Sequence, residues 1–217
     1  MKMIVVFSKL ERLKFIGHLD VMRAMQRALR RSGLPLRYSQ GYNPHILLSF
    51  AAPLSVGVEG LREVMEVPLE GDVKPEEFLD AMNAALPPLM RCLSARAVED
   101  SFTAMMALCA AAVYLIRPLE QGETLAHAIP GFMGQDSIMA QRKSKRGMVD
   151  VDLRPLIHSV SATEDGIEAV LALQEKGTCK PDQLIAALAK YANIEAPRCL
   201  ISRRALLDKD LAPLEEA

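Results

Sequence analysis

The chain has 217 residues, half of them apolar, with no Trp, 12 Met and 4 Cys, and 26 basic residues stand against 27 acidic ones. That apolar share excludes a disordered chain, and no apolar run approaches the roughly 18 residues that span a bilayer. The short run at 3–7 has no small-residue cleavage site after it and is no signal peptide, so a soluble cytoplasmic protein without a membrane partner is expected.

Taken in chain order, residues 2–8 predict a strand, since Met3-Ile4-Val5-Val6-Phe7 is rich in β-branched and aromatic types. A helix follows over 17–32, with Gly17 at its start, Asp20 in the first turn, and Gly33 and Pro35 to stop it. Leu19, Met22, Met25 or Gln26, and Leu29 recur at helical spacing and should face the core. Strands are expected at 36–39, 46–51 and 62–69, a helix at 75–86 with Pro75 in its first turn, and a strand at 89–98. This β-α-β-β-α-β order is the ferredoxin-like pattern. The second half predicts it again, with strands at 108–117, 137–142, 149–153, 156–162, 167–173 and 197–202. Its helices are expected at 120–128 and 181–191. The expectation is therefore an α+β chain of two ferredoxin-like halves, 1–100 and 101–217, divided at Glu99-Asp100-Ser101.

Charge is unevenly spread along this order. Residues 1–50 hold Lys2, Lys9, Arg12, Lys14, Arg23, Arg27, Arg30, Arg31 and Arg37 against Glu11 and Asp20, a local net charge of +7 in a chain of −1. Residues 59–100 hold ten acids and four bases. A clustered basic face attracts phosphate or carboxylate whatever the total.

Arg23, Arg27, Arg30 and Arg31 fall at i, i+4, i+7 and i+8 of the first helix and share one face, with few acids spaced to pair with them. Such arginines fit an external phosphate or only a solvated surface. After them comes Tyr38-Ser39-Gln40-Gly41-Tyr42-Asn43-Pro44-His45, a turn-rich loop that could present Tyr38, Tyr42, Asn43 and His45 to a ligand or serve as a plain connection. Stacking partners for a nucleic-acid strand are few: Tyr38, Tyr42 and Phe50. His18, at the helix start, could act as a base or ligand, or simply pack while Asp20 caps the helix. The segment 141–146 is a basic hairpin tip. Asp150 and Asp152 share a strand face but lack a nearby third ligand, a weak case for metal. The cysteines Cys92, Cys109, Cys179 and Cys199 are scattered, as buried apolar residues are. No cofactor and no metal are expected.

Several strings together are similar to one family. Ser8-Lys9, Leu13-Lys14-Phe15-Ile16-Gly17-His18-Leu19-Asp20, Arg27-Ala28-Leu29-Arg30-Arg31, Gly41-Tyr42-Asn43-Pro44-His45 and Asp150-Val151-Asp152-Leu153-Arg154-Pro155 resemble the radical-SAM-associated family of unknown function. The resemblance implies a non-catalytic substrate-binding or adaptor protein that recognises RNA for a radical SAM protein carrying the iron–sulfur cluster. Members occur alone or fused behind such a partner, often encoded near an RNA-processing ribonuclease. This chain departs from the pattern at Ile46-Leu47, where Pro-Lys is usual. Two alternatives stand beside it. One is a metal-independent ribonuclease resembling CRISPR RNA-processing proteins, with His18 or His45 as acid or base, although 196–206 lacks the glycine-rich loop typical of them. The other is a protein–protein scaffold whose arginines meet an acidic partner.

Overall fold

The computed structural model describes residues 1–144, 147–174 and 177–217. These divide into two compact units, one of Met1–Ala110 with Arg203–Ala217 and the other of Ala111–Ser202.

In the first unit β1 (Lys2–Lys9) lies between β3 (Val58–Pro68) and β4 (Met90–Val98), antiparallel to both. Its residues from Met3 to Lys9 are all buried, and Met3, Val5 and Phe7, which alternate onto one face, share a core with helix residues Val21, Met25, Leu29, Phe78 and Met82. The short β2 (Ser49–Phe50) pairs with Glu66 and Met65 on the far side of β3, giving the order β4–β1–β3–β2. Helix α1 (His18–Ser32) starts after Gly17 and ends at Gly33, whose φ of 73° is the left-handed conformation that glycine adopts without strain. Its buried face is Val21, Met25, Ala28 and Leu29, at i, i+4, i+7 and i+8. Burying Met25 and Leu29 completely contributes about 2 kcal/mol each. Helix α2 (Pro75–Ala85) opens on Pro75 and buries Phe78 and Met82. Asn83 ties it to β4 by donating from Nδ2 to the Cys92 carbonyl at 3.0 Å and accepting the Cys92 amide at 2.9 Å.

Three expectations for this unit change. Residues 36–39 and 46–51 form no full strands: Leu36 and Leu69 make one isolated bridge, Tyr38 and Ile46 another, and only Ser49–Phe50 joins the sheet. Pro35 and Pro44 cannot donate to a ladder, and Gly41 at φ 127° bends the chain between them. Leu19 is 63% exposed rather than in the core, because the apolar stripe centres on Val21, Met25 and Leu29. The unit also runs past 99–101, through helix α3 (Met105–Leu108) to Ala110. There the Ala110 amide donates to the Leu207 carbonyl at 2.8 Å, and Leu214 is fully buried.

The second unit contains β5 (Ala111–Pro118), α4 (Gly122–Met133), the hairpin β6 (Met139–Ser144) and β7 (Gly147–Asp152), then β8 (Ile157–Thr163), β9 (Gly166–Gln174), β10 (Gly177–Thr178) and α5 (Pro181–Tyr191). The final strand β11 (Cys199–Leu207) contributes its residues up to Ser202. The strand order is β8–β9–β5–β11, with β10 also on β9, while β6 and β7 pair with each other in a separate two-stranded sheet. Gly166, at φ 136°, is demanded by space as well as angle, since a Cβ there would lie 2.5 Å from the Ile116 carbonyl oxygen. The basic hairpin tip reaches Lys145 and Arg146, which lie outside the described residues. No helix among the described residues is long and apolar enough to cross a membrane.

Candidate functional site

The arginine row of α1 separates into used and unused cations. Arg23 pairs with Asp20 at 3.0 Å, so Asp20 neutralises a neighbour and does not cap the helix. Arg31 donates to the Ala85 carbonyl at 2.6 Å. Arg27 and Arg30 are exposed and have no hydrogen-bond or ion-pair partner among the described residues. Elsewhere in the basic segment, Lys2 donates to the Phe102 carbonyl at 2.7 Å and Lys14 lies 3.9 Å from Glu59. Arg37 grips Asp100 through both guanidinium nitrogens at 3.0 and 2.9 Å, which holds the Asp100 carboxyl below its usual range. The local charge of +7 thus leaves Arg12, Arg27 and Arg30 as exposed cations without partners among the described residues.

The loop after α1 is closed at its base. The Ser39 amide donates to the His45 carbonyl at 2.8 Å, the His45 amide donates to Ser39 Oγ at 3.1 Å, and Ser39 Oγ lies 2.8 Å from His45 Nδ1. This pins the imidazole by one nitrogen. Tyr42 and Asn43 at the tip are exposed, Tyr42 fully, and Tyr38 is 41% exposed. No hydrogen bond, ion pair or ring contact links Tyr38, Tyr42, Asn43 or His45 to α1 among the described residues. The helix and the loop are therefore two separate sets of groups on one unit.

His18, at the start of α1, belongs to neither the arginine row nor the loop. Its ring meets Phe50 edge-on with centroids 5.3 Å apart, at the wall of a cavity of about 20 Å³ also lined by Phe7, Lys9, Val21, Ala52, Leu54 and Glu63. Lys9 is 2% exposed and its Nζ has no hydrogen-bond partner among the described residues. Beside it runs a buried ion pair. Arg203 donates from Nε to Glu63 Oε1 at 2.8 Å and from Nη2 to Oε2, and its remaining donors reach the Pro53 and Ala52 carbonyls at 3.1 and 3.2 Å. Burial pushes the Lys9 ammonium below its ordinary range; Glu63 opposes that shift and Arg203 adds to it. Gly60 makes the arrangement possible, because a Cβ there would lie 2.5 Å from Glu63 Cγ.

Sequence reasoning counted Lys9 in a basic segment and in a family-like string, gave it no site role, and did not single out Glu63 or Arg203. One signal was available: Lys9 closes an apolar strand that the core must cover on both faces. Nothing local marks Arg203, whose partner is 140 residues away.

In the second unit the two acids of β7 part company. Asp152 Oδ1 accepts the amides of Ile138 and Arg154 at 2.8 and 2.9 Å, which holds its carboxyl low and makes it a turn clamp. Asp150 instead lines a cleft of about 580 Å³ with Asp182 and Lys190. Cys92 and Cys179 are buried, and Cys109 and Cys199 partly so. Among the described residues no three His, Cys, Asp or Glu side chains gather closely enough to hold a metal ion.

A family model described as an uncharacterized protein conserved in bacteria, DUF2344, matches residues 2–181. No curated protein matches the chain.

Proposed function

We propose that this chain, which belongs to the DUF2344 family of proteins conserved in bacteria, is a non-catalytic adaptor that binds RNA through the exposed face of α1. The observation that carries the reading is the pair Arg27 and Arg30, one helical turn apart and without an intramolecular partner among the described residues, on a helix whose opposite face is fully committed to the core. Guanidinium groups left free in this way suit phosphate oxygens. Tyr38, Tyr42, Asn43 and His45 offer exposed rings and polar groups for the bases. The strand orders β4–β1–β3–β2 and β8–β9–β5–β11 support reading each half as ferredoxin-like, with β6–β7 inserted in the second. A radical SAM protein as the partner served by this binding rests on the sequence resemblance alone.

The nuclease reading is weaker, since His18 packs on Phe50 and His45 is tied to Ser39. One observation favours a protein partner instead: Leu19 is exposed on α1 beside the arginines, where a protein surface would cover it.

Fluorescence anisotropy with a labelled single-stranded RNA across a salt series tests the proposal. Each phosphate contact contributes about 0.7 to the slope of log affinity against log salt. The variant R27A/R30A should bind more weakly and flatten the slope by about 1.4, and His45→Ala should lower affinity while leaving Tm nearly unchanged. Unaltered slope and affinity in R27A/R30A would remove α1 from the interface. Co-purification of a radical SAM protein with the tagged chain tests the partner.

A further inference from the structure

The hairpin β6–β7 and helix α5 leave between them a cleft of about 580 Å³ that the reading of α1 does not use. Three consecutive residues of β6, Met139, Ala140 and Gln141, line it, against Asp150 alone from β7, so the β6 side of the hairpin borders α5. That side is a free strand edge. The Leu153 amide donates to the Ile138 carbonyl, and hydrogen-bonded pairs alternate along an antiparallel ladder. In the register of β6 on β7 the next pair to exchange bonds is therefore Ala140 with Val151. The main-chain groups of Met139 and Gln141 point the other way, out of the hairpin, and have no partner among the described residues.

The facing wall is one stripe of α5. Asp182, Ala186 and Lys190 recur every four residues along it, with Gln183 and Ala187 beside them. The two alanines keep this wall low, which leaves room for a main chain between helix and strand edge. Asp182 and Lys190 stand about 12 Å apart along the helix axis, the length of about three to four extended residues at roughly 3.3 Å each. Charge then selects the side chains of the occupant. Asp150 on the hairpin and Asp182 on the helix are exposed carboxylates without an ion-pair partner among the described residues, against the single ammonium of Lys190. We propose that this cleft binds an extended basic segment of a partner protein, which joins β6 as a third strand. Its main chain bonds to Met139 and Gln141, and its lysine or arginine side chains meet Asp150 and Asp182. Lys190 marks the end at which the segment is neutral or acidic. The site lies wholly within the second unit and shares no residue with the α1 face proposed to bind RNA.

The test is fluorescence anisotropy of the full chain with the labelled, end-capped peptide Val-Lys-Val-Lys-Val-Thr. The same peptide with both lysines replaced by glutamate should not bind. D150N/D182N should weaken binding about fivefold to tenfold, as the loss of two exposed ion pairs does, and A187W, which fills the cleft, should abolish it. Two further analogues are methylated on alternate main-chain nitrogens, one in each phase. An added strand turns only one of its edges to β6, so one phase should bind about tenfold more weakly and the other as the parent peptide does. Equal binding of the two phases, equal binding of the glutamate peptide, unaltered affinity in D150N/D182N, or spermine held as tightly as the lysine peptide overturns the proposal. A chain that sediments as a dimer until the lysine peptide is added makes a second copy the occupant and overturns it too. Should A187W fail to fold, the Met139 and Gln141 amide resonances of the unaltered protein decide the same question: they should shift as the lysine peptide is added, and unmoved resonances overturn the site.

Discussion

Glu63→Gln should cost more stability than Arg203→Met, although both break the same buried ion pair. The reason is Lys9. The native cluster holds two cations and one anion, all at 4% exposure or less. Arg203→Met leaves Lys9 and Glu63, one charge of each sign, and the ammonium takes over part of the lost attraction. The Ala52 and Pro53 carbonyls lose their guanidinium donors, at roughly 1 kcal/mol each, so about 2 kcal/mol is expected. Glu63→Gln leaves two buried cations with no anion, and the full penalty for stripping one partner from a buried pair applies, about 3–5 kcal/mol. With a urea m-value of about 2 kcal/mol per molar, the midpoints should fall by about 1 M and about 2 M respectively. Adding Lys9→Met to Glu63→Gln should recover at least about 1 kcal/mol, because one of the stranded cations is gone. Urea unfolding followed by circular dichroism at unchanged m reads all four proteins. If Arg203→Met proves as costly as Glu63→Gln, or if Lys9→Met recovers nothing, Lys9 does not sense Glu63 and the three-charge reasoning fails.

Two further outcomes follow from the displaced titrations. The folded state depresses Lys9 below its ordinary 10.5, so between the folded value and 10.5 the unfolded chain binds more protons; stability should rise with pH through that window and be flat below it, and the rise should vanish in K9M. Burial pushes the Cys92 and Cys179 thiols up to about 12 and the Cys109 and Cys199 thiols up to about 11, so a disulfide reagent at pH 7.5 should label less than about one thiol per native chain and all four in guanidinium; fast labelling of a native thiol would contradict that burial.

Features set by near neighbours were readable from the sequence. Gly17, Gly33 and Pro35 bracket α1, and Pro75 opens α2, because caps and first turns are decided within a few residues. Features set by partners far along the chain were not. The segments at 36–39 and 46–51 have strand composition, yet whether they join a sheet depends on β3 having room beside it, and only Ser49–Phe50 does so. Leu19 matched the apolar spacing but lies two residues before Val21, about 200° round the helix, and so faces away from the buried stripe. A final strand was expected at 197–202. It continues to Leu207 because Glu63 makes an arginine acceptable inside. The arginine face of α1 was legible as charge, but its division into paired Arg23 and free Arg27 and Arg30 needed coordinates.

The first unit is interrupted in sequence by the whole of the second, so it cannot be excised as one stretch of chain. Arg203 returns 140 positions after Glu63, and a guanidinium that reaches both carboxylate oxygens and two backbone carbonyls ties that returning segment in place. A fragment cut after Ala110 would keep most of the first unit and leave Glu63 buried without the donors that neutralise it.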